Sequence, residues 1–153
     1  MQPINENILT LSITSETKNL TLVRDFVATA AKNAGFDDTA INNIIIAVDE
    51  ACTNVIKHAY RYSPNNPIDV FITLDNNKFN IIIKDKGTCF DPNTIPPPNM
   101  KEYFKRYKVG GLGMHLMKNL MDEVVYDCRQ SEYNQVILSK KLPPDGRSNS
   151  TPL

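Results

Sequence analysis

The segment from Thr39 to Tyr60 constrains the fold more than any other part of the chain. Its apolar residues Ile41, Ile44, Ile45, Val48, Cys52, Val55, Ile56 and Ala59 recur at helical spacing and form one stripe along a single long helix. Asp37 or Asp38 stands where an N-terminal cap belongs, since a short carboxylate can accept from the first free amides. A helix with one apolar stripe must bury it against a sheet or other helices.

The rest of the chain supplies both. Leu9, Leu11 and Ile13 alternate as a half-buried strand requires, and Leu20, Val23, Val27 and Ala31 predict a helix from about Glu16 to Ala34 with Gly35 as its C-terminal cap. After SPNNP, the segment IDVFITL puts Ile68, Val70, Ile72 and Leu74 on one face, and Asp75-Asn76-Asn77 turns the chain into FNIIIKD. These two segments predict an antiparallel hairpin. A third helix is expected to start at Gly111 to Gly113 and run to about Met121, before EVVYDC and YNQVILSKKL close the sheet. Helices and strands are segregated, which predicts an α+β fold: a two-layer sandwich with helices on one face of a mixed, mainly antiparallel sheet. A chain of 153 residues fits one domain, expected over 1–142, with the polar stretch PPDGRSNSTPL of 143–153 as a frayed tail. The aperiodic stretch 87–110, through DPNTIPPPNM and KEYFKRYK, is long for a connection and is expected to act as a lid.

Charge and composition remove several classes of function. Lys and Arg number 17 and Asp and Glu number 17, so no net positive field gathers a nucleic acid or an anionic lipid surface. Apolar runs such as Ile44 to Val48 are far shorter than the roughly 20 residues of a membrane span, and the first residues lack a basic-then-apolar leader. A cytoplasmic protein is expected. Cys52, Cys89 and Cys128 are far apart, odd in number and without a Cys-x-x-Cys pair, which predicts reduced thiols and no structural zinc.

Three places carry polar groups that a bland fold does not need. On FNIIIKD, Asp85 ends an inward-facing row with Phe79, Ile81 and Ile83. Burying a carboxylate is costly without a donor, so Asp85 suggests an acceptor waiting for a group such as an exocyclic amine. The competing reading is that Asp85 caps the following loop. On the long helix, Glu50, Asn54 and His58 recur every four residues and share a face beside the apolar stripe. A carboxylate and an amide oxygen one turn apart can activate a hydroxyl and hold a magnesium ion, whose other ligands come from phosphate and water. The competing reading is a solvated helix face, with His58 set against the helix dipole. In KVGGLGMHLMKNL, Gly110, Gly111 and Gly113 precede a helix, where free amides can meet an anion, although a plain loop-to-helix junction has the same pattern. The chain contains neither a P-loop nor a Gly-x-Gly-x-x-Gly following a first strand.

Taken in this order, DEACTNVIKHAY, DKGTCFDP and GGLGMHLMKNLMDEV resemble the N box and the two glycine boxes of the Bergerat (GHKL) ATP-binding family, in the form of its anti-sigma-factor serine/threonine kinase branch. The resemblance spans about Leu9 to Leu142. It implies that Asp85 binds the adenine amino group with Gly87 shaping the wall beneath the base. Asn54 would hold magnesium, and Glu50 would be the general base that takes a proton from a serine or threonine hydroxyl. Gly111, Leu112 and Gly113 would hold the phosphates of ATP, with Lys105, Arg106 and Lys108 as the available cations, of which Lys108 or Arg106 would have to reach in. Asp49, about 100° around the helix from Glu50, receives no catalytic role. Where many relatives carry a second glycine, this chain has Cys89, and Val109 precedes the glycines where a basic residue would be helpful. The implied partners are a sigma factor or related regulator and an antagonist of the STAS type, with a homodimer formed through the sheet edge and early helix. The alternative function is a nucleotide-dependent regulator that binds proteins without transferring phosphate.

Overall fold

The computed structural model describes residues 8–90, 114–128 and 132–144. Its five strands are β1 (Ile8–Thr14), β2 (Pro67–Asp75), β3 (Lys78–Asp85), β4 (Glu123–Cys128) and β5 (Asn134–Lys141). They form one sheet in the order β1-β2-β3-β5-β4, with every pairing antiparallel. The expected α+β sandwich is present, and the sheet among the described residues is wholly antiparallel rather than mixed. Asn76 and Asn77 both adopt positive φ, 52° and 63°, which suits the tight turn joining β2 to β3 because that turn's twist matches the strands.

Two long helices, α1 (Leu20–Asn33) and α2 (Asp38–Asn54), belong to the layer that covers the sheet, and α3 (Met114–Leu120) packs beside α2. Asp37 settles the choice of cap, since its carboxylate accepts from Ala40 N at 2.8 Å. Gly35 takes φ 100°, the left-handed conformation foreseen for the end of α1. Between the layers, Ile68, Val70, Ile72, Phe79, Ile81, Ile83, Val136 and Leu138 from the sheet meet Val23, Val27, Ala31, Ile44 and Val48 from the helices, all buried. The buried stripe of α2 includes Ala47 and Ala51 and leaves Ile45 half-buried. Small alanines let the helix lie close to its neighbours, a signal that apolar bulk in the sequence does not carry. Asp49 faces α1, where Arg24 Nε meets Asp49 Oδ1 at 2.9 Å, a half-buried pair at the surface worth about 0–1 kcal/mol.

Two expectations require correction. The long helix was expected to run regularly to Tyr60, but it widens after Asn54 into a π-type turn over Val55–Ala59, closed by Tyr60 N donating to Val55 O at 2.9 Å. That widening leaves Ala59 O to accept from Thr88 N at 2.9 Å, so the end of the helix is tied to the loop after β3. The second correction concerns the thiols: Cys89 and Cys128 are joined in a disulfide, with Cα atoms 5.7 Å apart, and only Cys52 is free and buried. Their separation of 39 residues hides the proximity, which arises because β5 lies between β3 and β4, so that Asp85 and Cys128 both pair with Asn134. Burial pushes the Cys52 thiol up to about 12, so it stays protonated. The expected lid, the glycine-rich start of the third helix and most of the expected tail lie outside the described residues. Among the described residues no helix is long and apolar enough to cross a membrane.

Candidate nucleotide site

Asp85 ends β3 on the inner face and is only 5% exposed. Burial pushes its carboxyl above the usual range, and the hydrogen bonds that it accepts from Asn134 and Gly87 pull it back only in part. Both donors land on Oδ1, Gly87 N at 2.8 Å and Asn134 Nδ2 at 3.0 Å. The capping reading of Asp85 therefore holds, since its carboxylate accepts from Gly87 N in the turn after the strand, and the residue lies buried in the inward row as the alternation predicts. Asn134 Nδ2 also donates to Gly87 O at 3.0 Å, which fixes the turn from its far side. Sequence reasoning missed Asn134, because an asparagine at the start of a strand reads as a turn residue until the register Asp85↔Asn134 is known.

The same turn is held from the helix side. Tyr60 Oη donates to Pro67 O at 2.6 Å and accepts from Lys86 N at 2.7 Å. A Cβ on Gly87 would stand 2.5 Å from Ala59 O and 2.7 Å from Ala59 C, so glycine is required here by the close approach of two backbones. Gly87→Ala is expected to destabilise the fold by about 1–3 kcal/mol, because rigid backbone on both sides must move. Urea unfolding measures this, and an unchanged midpoint would contradict the packing described.

Glu50 and Asn54 lie one turn apart on the half-buried face of α2. Tyr126 lies on the inner face of β4, in register with the buried Val136, and Asn54 and Glu50 of α2 influence its phenol. Burial is the main reason its phenol is pushed up to about 12. His58 completes the face, and burial, with Lys57 beside it, lowers its basicity. Its ring stands 5.5 Å from that of Phe90, which in turn meets Tyr126 edge-on at 6.1 Å. Asp85, Asn134, Phe90, Tyr126, Val55 and Val136 line one cleft of about 270 Å³, counting its open mouth, and Cys128 of the disulfide lies on its border. The cleft is thus apolar on its walls with an acceptor at one end, the usual makeup of a small-molecule site.

The site residues expected from sequence divide into two groups. Glu50 and Asn54 fall in the last turns of α2, Asp85 at the end of β3 and Gly87 just after it. Lys108, Gly111, Leu112 and Gly113 lie outside the described residues.

Helices cover one face of the sheet, and the buried Asp85 stands in the cleft that Val55, at the end of α2, also lines. The chain matches the histidine kinase-like ATPase domain family over residues 13–140 and belongs to that family. It is 34% identical over 150 residues to the serine-protein kinase RsbW of Listeria monocytogenes, which covers 94% of this chain and 96% of that protein. It is 33% identical over 124 residues to the serine-protein kinase RsbW of Staphylococcus aureus and 27% identical over 124 residues to that of Bacillus subtilis, 78% of each chain being covered in both cases. The expected ATP-dependent protein serine/threonine kinase is borne out by these relatives.

Proposed function

We propose that the chain binds ATP in the cleft between α2 and β3 and transfers its γ-phosphoryl group to a serine or threonine of a STAS-type antagonist, and that it sequesters a sigma factor or related regulator when that antagonist is absent. The observation that carries this reading is Asp85: a buried carboxylate whose two donors share Oδ1 can offer Oδ2 to the exocyclic amine of adenine. Val55, Phe90 and Val136 give the base apolar walls. The hydroxyl of the partner attacks the γ-phosphorus, its proton passes to Glu50, and ADP leaves. Such transfers depend mainly on positioning and charge neutralisation.

The donor set suits magnesium. Magnesium takes one or two protein oxygens and its remaining ligands from phosphate and water. Asn54 would supply the protein oxygen, and the bound ion would neutralise charge developing on the phosphate oxygens. Gly111, Leu112, Gly113 and Lys108 are the groups proposed for the phosphates.

A homodimer through β1 and α1 accords with the exposed side chains Ile8, Leu9 and Leu22 on the sheet edge and first helix. Thermal unfolding tests the nucleotide site. Mg-ATP at about 100 times its dissociation constant stabilises a fold by roughly 2.7 kcal/mol, so the midpoint should rise by several degrees. No rise at millimolar Mg-ATP would contradict the proposal.

A further inference from the structure

We infer that Cys89 and Cys128 form a thiol–disulfide exchange site that sets nucleotide affinity: the oxidised pair holds Phe90 as a ready-made wall of the cleft, and a small thiol that reduces the bond releases that wall. This rests on the proposed function and gives its site a redox input, whose co-reactant is a low-molecular-weight thiol with its disulfide.

The bond stands at the adenine end of the cleft. Asp85 and Cys128 both pair with Asn134, one from each side of β5, and Cys128 lines the same cleft as Asp85 and Phe90. The loop after β3 is held in two different ways. As far as Thr88 it is fixed by hydrogen bonds that do not depend on redox state: Lys86 N donates to Tyr60 Oη at 2.7 Å, Gly87 N to Asp85 Oδ1 at 2.8 Å and Thr88 N to Ala59 O at 2.9 Å. The next residue, Cys89, is tied covalently to the end of β4. Phe90 follows it, with its carbonyl oxygen 3.9 Å from Cys128 Sγ and its ring 5.5 Å from that of His58 and 6.1 Å from that of Tyr126. Both bonded cysteines are exposed, whereas Cys52 is wholly buried, so a small thiol reaches the pair and not the third cysteine. Exposed disulfides belong to the labile, regulatory kind, unlike those sealed in a core.

The exchange balances between the pair and its co-reactant. One thiolate attacks a sulfur of the pair, the bond between Cys89 and Cys128 breaks, and a mixed disulfide forms. A second thiolate attacks the outer sulfur of that mixed disulfide and leaves with it as the small disulfide. Two electrons and two protons pass from two small thiols to the pair, and the small disulfide reverses the step. A wall already in place requires no ordering when the nucleotide binds, whereas a released Cys89 and Phe90 must be ordered at the expense of affinity.

Mg-ATP affinity is measured by calorimetry for the wild type oxidised with glutathione disulfide, for the same protein reduced with dithiothreitol, and for Cys89→Ser and Cys128→Ser in both conditions. Thiols are counted after unfolding, and thermal unfolding shows whether each protein is folded at the temperature of titration. One free thiol is expected in the oxidised wild type and three in the reduced one. Reduction should weaken nucleotide binding about tenfold, the size expected for ordering one or two residues, and glutathione disulfide should restore it. Both serine variants should bind as the reduced wild type does, in either condition. Equal affinity of the two wild-type forms, or tighter binding by the reduced one, overturns the redox input and leaves the ATP site intact. A redox effect that persists in the serine variants, or a pair that stays reduced under glutathione disulfide, also overturns it. A reduced wild type that unfolds would make the bond purely structural and overturn it too. A wild type that binds no nucleotide in either form overturns both the redox input and the proposed function. If the serine variants do not fold, the reversible comparison within the wild type still decides.

Discussion

Asp85→Asn is expected to lower ATP affinity by about 10- to 150-fold while leaving the unliganded protein as stable as the wild type, or more so, at neutral pH. The loss follows from replacing a charged acceptor by an amide whose NH2 faces the amino group of adenine, since hydrogen bonds to charged groups contribute about 1.5–3 kcal/mol. The stability follows from the sign of the titration. Burial raises the carboxyl of Asp85 in the folded state, so folding favours its protonated form. The corresponding stabilisation is complete below the ordinary aspartate range and is lost as the pH rises through the raised folded value. Above that value the ionised, buried group costs stability, and asparagine removes the cost while still accepting from Gly87 N and Asn134 Nδ2. Calorimetric titration with Mg-ATP and thermal midpoints across pH 3–8 check both halves. Wild-type affinity in the variant would show that the base binds elsewhere. A large fall in its unliganded midpoint would show that Asp85 is there for structure.

Glu50→Gln carries the second large effect, of a different kind. Removing a positioned general base costs about a hundred- to ten-thousand-fold in rate, so phosphotransfer should nearly vanish. Nucleotide affinity should hardly change, because Glu50 is assigned to the proton of the partner's hydroxyl and not to ATP. Asp49, its sequence neighbour, is a useful contrast: it is engaged with Arg24 across α1 and α2, and Asp49→Asn should leave the transfer rate within about twofold, as a surface pair contributes little.

Much of this was legible in the residues. The alternation in β1, β2 and β3 placed the inner face correctly, including Asp85 at its end, because a two-residue period is imposed by the pleat itself. The spacing of Glu50 and Asn54 on one face of α2 was equally direct, since a four-residue interval on a helix leaves little choice. What escaped is what only tertiary register creates. Asn134 meets Asp85 because β5 inserts between β3 and β4, and the same insertion brings Cys89 to Cys128. The widened turn after Asn54 has no pattern in the apolar positions, because it changes the hydrogen-bond ladder and not the sequence of buried faces. Gly87 was assigned to the wall beneath the base, whereas the structure supplies a backbone reason as well, its contact with Ala59.

Phosphotransfer is what separates a kinase from a nucleotide-gated binding protein. The most direct measurement incubates the purified protein with γ-labelled ATP, magnesium and a STAS-domain protein carrying a phosphorylatable serine, with Glu50→Gln in parallel. The account predicts label on the serine with the wild type and almost none with the variant, at equal nucleotide occupancy. Full occupancy by ATP with no label on the serine in the wild type, or equal label with both proteins, would contradict it.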